Sequence, residues 1–118
     1  MPRDNDQNIF RRGVLAMVIL ALLSKEDMYG YQLVQETERI TDAKIQTQEG
    51  SLYPVLYKLQ EQGFVSDYRK LVGKRMTRVY YHLEPSGQER LAKYLSEYKK
   101  IADGVRMILE FSGISETI

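Results

Sequence analysis

Along the chain the apolar positions change spacing from segment to segment, and each spacing predicts an element. From Ile9 to Leu23 they are nearly continuous: Val14, Leu15, Met17, Val18, Ile19, Leu20, Leu22 and Leu23 leave no polar side. A helix that is apolar all round is buried on every side, which in so small a domain implies contact with a second chain. In SKEDMYGYQLVQETERI, Asp27 is a candidate N-cap for a second helix reaching about Arg39. Leu33, Thr37 and Ile40 would make its inner face, with Gly30 one turn earlier. Glycine inside a helix costs about 1 kcal/mol relative to alanine, so close approach of another helix is the expected reason for it.

A polar connection over residues 41–48 leads into EGSLYPVLYKLQEQG, where Leu52, Leu56 and Leu59 share one helical face. Pro54 interrupts this helix. Capped by Thr47, the helix would hold Pro54 well inside and lose one hydrogen bond to Gly50; capped by Ser51, it would carry Pro54 harmlessly in its first turn. Gly63 is the expected stop. FVSDYRK and MTRVYYHL then read as two strands turning at Gly73. Val79, Tyr81 and Leu83 face one way, and Arg78, Tyr80 and His82 the other. Pro85 opens a last helix to about Phe111. Its Leu91, Leu95, Tyr98, Ala102, Val105 and Leu109 recur at intervals of 4, 3, 4, 3 and 4, a heptad seam. Residues 1–8 are polar and expected to fray.

This order predicts a mainly α fold with a small β-hairpin. The expected organisation is a winged helix-turn-helix over residues 8–84, followed by a dimerisation helix over residues 85–118. In such folds the third helix enters the major groove of DNA and the hairpin, or wing, flanks it. Ser51, Tyr53 and Tyr57 would offer hydroxyl donors from that helix, and Gln48 just before it joins them as a DNA-binding candidate.

Charge sharpens the picture. The net charge of +1 alone predicts no nucleic acid, but residues 1–62 hold 7 basic and 9 acidic side chains, and residues 63–118 hold 10 and 7. Arg69, Lys70, Lys74, Arg75 and Arg78 form a run with no acidic residue among them. Such a run is ordinarily a solvated surface; on a wing it becomes a phosphate-contacting one. The absence of cysteine excludes disulfides and thiolate metal sites, and a single histidine makes neither a metal site nor a catalytic cluster. No enzyme activity, metal or cofactor is expected. The longest apolar run, Val14–Leu23, is about half a membrane span, and no secretory pattern precedes it. The chain is read as cytoplasmic, with no membrane partner.

MYGYQL, GSLYPVLYKLQEQGFV and RVYYHLEPSGQERL resemble the motifs of the PadR family of bacterial transcriptional regulators. The resemblance covers about residues 10–95, and the short C-terminal part looks like the subgroup with a single dimerisation helix. It implies a homodimeric repressor of a palindromic operator on double-stranded DNA. Ser51, Tyr53 and Tyr57 would lie on the DNA-facing helix, Tyr31 near the backbone, and Lys74 and Arg75 at the wing tip. Val14, Val18 and Leu22 of the first helix would meet the terminal seam of a second copy. A small hydrophobic or aromatic effector could sit between first and last helices against Met17, Tyr94 and Tyr98; plain interface packing is the competing reading of those three. Two departures stand out. Glu84 replaces the family's usual threonine cap, which predicts a looser junction. No tryptophan is present for stacking flat ligands at a dimer interface. The alternative function is a winged-helix protein-interaction module without DNA binding.

Overall fold

A computed structural model describes residues 6 to 114. Its elements are α1 (Asp6–Lys25), β1 (Met28–Tyr29), α2 (Gly30–Ile40), α3 (Glu49–Glu61), β2 (Val65–Val72), β3 (Met76–Leu83) and α4 (Pro85–Phe111). This is the expected mainly helical fold with a small antiparallel sheet. The fraying expected for residues 1–8 falls outside the described residues for 1–5, while 6–8 are already helical.

The core is built from three helical faces and the inner face of the sheet. Leu15, Ile19, Leu20 and Leu23 of α1 meet Leu33 of α2, Leu52, Leu56 and Leu59 of α3, and Val65, Tyr81 and Leu83 of the strands. Residue spacing along α1 explains its division: 15, 16, 19, 20 and 23 are buried, while Val14, Met17, Val18 and Leu22 remain partly exposed. Within one protomer α1 is therefore not covered all round.

Several local expectations are corrected. Asp27 does not cap α2; Tyr29 does, and its N–H donates to Gln32 Oε1 at 3.3 Å. Residues 28 and 29 instead form a third strand, pairing Met28 with Tyr81 and Tyr29 with Tyr80, so the sheet order is β1-β3-β2. On α2, Leu33 and Thr37 are buried as expected, but Ile40 at the helix end is 56% exposed and Val34 takes the inner position. Thr37 is tolerated in the core because its hydroxyl donates to Leu33 O at 2.7 Å.

The cap of α3 is Gln48, one residue after Thr47, so Pro54 is inside the helix. The hydrogen bond it forfeits is the one to Gly50, which lies in an exposed turn where water can reach the carbonyl. Gly63 (φ +84°) ends α3: Phe64 N donates to Leu59 O and Gly63 N to Gln60 O, each at 3.0 Å.

The junction into α4 is tied rather than loose. Glu84 makes no side-chain cap, as a poor capping residue should not. Its carboxylate instead accepts from Ser66 Oγ, its N–H donates to Phe64 O, and Ser86 Oγ donates to Gly63 O. Gly87 packs so closely on the Phe64 carbonyl and Leu83 that a Cβ there would overlap both. Leu91, expected on the dimer seam, belongs to the protomer's own core. Beyond Tyr94 the 27-residue α4 projects away, giving the molecule extents of 60 × 32 × 31 Å.

Candidate nucleic-acid interface

Helix α3 presents its polar side and its N-terminus outward. No side chain caps the first turn, and Gln48, Gly50 and Ser51 are all exposed there. Unsatisfied N–H groups and the helix dipole make such an end attractive to phosphate. Lys74 and Arg75 lie fully outward in the turn between β2 and β3, where Gly73 takes φ +72° and Val72 pairs with Met76.

Helices α2 and α3 and strand β3 enclose a cleft of about 580 Å³. Tyr29, Gly30, Tyr31 and Gln35 line one wall, Tyr53 and Tyr57 of α3 a second, and Arg78, Val79 and Tyr81 of β3 the third. The cleft exists because α2 and α3 touch through glycine: a Cβ at Gly30 would overlap the ring of Tyr53. Close helix approach is thus the reason for Gly30; Tyr57, one turn after Tyr53 on α3, places its ring 5.6 Å from that of Tyr53. Burial, the charge of Glu49 and the neighbouring Tyr57 raise the Tyr53 pKa. Burial, followed by the adjoining Tyr57 and Tyr53, pushes the Tyr81 hydroxyl up to about 12. Both therefore stay protonated hydrogen-bond donors at neutral pH.

Four of the expected DNA-binding residues, Tyr31, Tyr53, Tyr57 and Arg78, meet in this cleft; Gln48 and Ser51 stand at the end of α3, and Lys74 and Arg75 at the wing tip. Tyr29, Gln35 and Tyr81 also line the cleft and were not anticipated. Gln35 had a signal, since it follows Tyr31 by four residues and so shares its helical face. Met17, Tyr94 and Tyr98 do not line this cleft. Met17 and Tyr94 pack against the core, whereas Tyr98 is 53% exposed.

The outer face of the sheet carries a connected polar and aromatic row. Tyr68 Oη donates to Asp27 Oδ2 at 2.7 Å, and His82 Nδ1 lies 2.9 Å from Asp27 Oδ1. Burial opposes ionisation of Asp27, but hydrogen bonds with His82 and Tyr68, with help from Lys70, hold its pKa below the usual value. Among the described residues no cluster of His, Cys, Asp or Glu is placed to hold a metal ion, and no helix is long and apolar enough to cross a membrane.

Residues 19–93 match the model of the transcriptional regulator PadR-like family. The chain belongs to that family. PadR-like proteins are transcriptional regulators rather than enzymes, and the protein-interaction module is not the favoured reading. A PadR family transcriptional regulator from Eggerthella lenta has a solved structure similar to this one, with a TM-score of 0.72, 32% identity and 86% of each chain covered. The crystal structure of Bacillus subtilis PadR in complex with operator DNA gives a TM-score of 0.64 at 28% identity, covering 70% of this chain and 46% of that one. The transcriptional regulator YqjI of Escherichia coli is 36% identical over 69 residues, which is 58% of this chain and 33% of YqjI. This PadR-like chain thus spans about a third of YqjI and about half of Bacillus subtilis PadR.

Proposed function

We propose that this PadR-like protein is a homodimeric repressor of a palindromic operator, with α3 in the major groove and the wing tip at the adjacent minor groove. The observation that carries the reading is a cleft where α3 meets α2 and β3, lined by hydroxyl donors and Arg78, on a domain whose α3 N-terminus is uncapped and exposed and whose wing tip is free of acidic residues. The similar Bacillus subtilis PadR has been solved in complex with operator DNA, which supports DNA as the partner. Phosphate contacts from Lys74, Arg75 and Arg78 position the duplex, and Gln48, Ser51, Tyr53 and Tyr57 supply donors to the groove and backbone.

Dimerisation rests on distal α4. Leu95, Tyr98, Ile101, Val105, Ile108 and Phe111 are 42–89% exposed along distal α4. An isolated apolar helical extension is unfavourable in water, and the partly exposed Val14, Val18 and Leu22 of α1 offer a second surface for a twin chain. The working division is a DNA-binding unit over residues 8–84 and a dimerisation helix over 85–118, whose first two turns also brace the winged helix. A mobility-shift titration on the DNA upstream of its own gene tests the proposal. Saturable retardation that weakens steeply with salt is expected; equal affinity for unrelated fragments would refute operator recognition.

A further inference from the structure

The tyrosine cleft contains one charged side chain, Arg78, and no carboxylate lines it. Among the described residues, no ion pair involves this guanidinium. It lies instead over the ring of Tyr29, 4.2 Å from the centroid. Tyr29 in turn meets Tyr80 edge-on at 5.5 Å, and Tyr80 stacks on Tyr68 at 5.8 Å with an interplanar angle of 16°. Tyr68 is pinned by its hydrogen bond to Asp27. A continuous row of contacts therefore crosses all three strands and ends on a cation with no anion.

A guanidinium resting against an aromatic face loses little conformational freedom when it binds, and its N–H groups remain available to two oxygens of a phosphate. The surrounding wall adds the hydroxyls of Tyr31, Tyr53 and Tyr57 and the Gln35 amide, each able to donate a hydrogen bond. We infer that the cleft is a seat for one backbone phosphodiester of the bound duplex, gripped by Arg78, with Tyr29 as a positioning residue that sets the guanidinium plane. This rests on the proposed operator binding and deepens it: the seat lies between α3 and the wing strands, where the backbone separating major from minor groove must pass. Tyr29 touches the arginine, not the phosphate.

The test is fluorescence anisotropy of the full chain on its upstream DNA across a salt series, with thermal melts to verify folding. Arg78→Gln should weaken binding about tenfold and lower the slope of log K against log salt by about 0.9 per protomer. Arg78→Lys should keep the slope yet lose affinity, because an ammonium cannot offer the flat paired donors. Tyr29→Phe should bind as wild type, and Tyr29→Leu about two- to fivefold more weakly. Tyr29→Leu added to Arg78→Gln should cost nothing further. An unchanged slope in Arg78→Gln, or a full Tyr29→Leu penalty in the double variant, overturns the seat while leaving operator binding intact. Failure of the wild type to bind any fragment overturns the operator reading and the seat with it.

Discussion

Truncating Ile101 and Ile108 to alanine isolates the role of distal α4. Each is more than 60% exposed in the protomer, so little of its side chain contributes to the fold of one chain. Removing three buried carbons costs about 2.4 kcal/mol at about 0.8 kcal/mol per methylene. About two-thirds of that, roughly 1.5 kcal/mol, belongs to surface covered only by a partner. In a two-fold interface every substitution occurs twice, so each position should cost about 3 kcal/mol and the pair about 6 kcal/mol. The dimer dissociation constant should then rise about 10⁴-fold. Sedimentation equilibrium over a wide concentration range reads this directly. Melting of the winged-helix core should hardly change once both proteins are compared as monomers. A dissociation constant within a few-fold of wild type would refute the assignment of this face to dimerisation.

Two further outcomes follow from the packing and the titrating groups. Gly87→Ala should destabilise the domain by about 1–3 kcal/mol in urea unfolding, because the new methyl meets the Phe64 carbonyl and cannot move aside. Tyr81 holds its proton to about 12 when folded, against about 10 when unfolded; its contribution is complete below pH 10 and is lost as pH rises towards 12. Alkaline unfolding curves of Tyr81→Phe should therefore be flatter across that window, and an unchanged slope would contradict the burial of this hydroxyl.

Most helices were legible because their buried faces are long enough to repeat: Leu52, Leu56 and Leu59 mark α3, and Val79, Tyr81 and Leu83 mark the inner side of β3. What escaped was set by tertiary contact. Two residues cannot display alternation, so β1 left no trace, and Asp27 looked like a cap although its partners, Tyr68 and His82, lie on distant strands. Leu91 continues the seam by spacing, but spacing cannot tell which turns of a long helix lie on their own domain. Glu84 is a weak cap in isolation; Ser66 and Phe64, far back in sequence, secure that junction. The candidate interface divided in the same way. Its basic wing stood out by composition, whereas the cleft depends on Gly30 admitting the Tyr53 ring, a contact between two helices.

The most direct check on an acid-free wing tip and an exposed α3 jointly gripping a duplex is the salt dependence of operator affinity in Lys74→Ala/Arg75→Ala. Removing two cations from each of two protomers should flatten the slope of log K against log salt by roughly three to four units, with folding and dimerisation preserved. A slope equal to that of the wild type would contradict the placement of this wing on DNA.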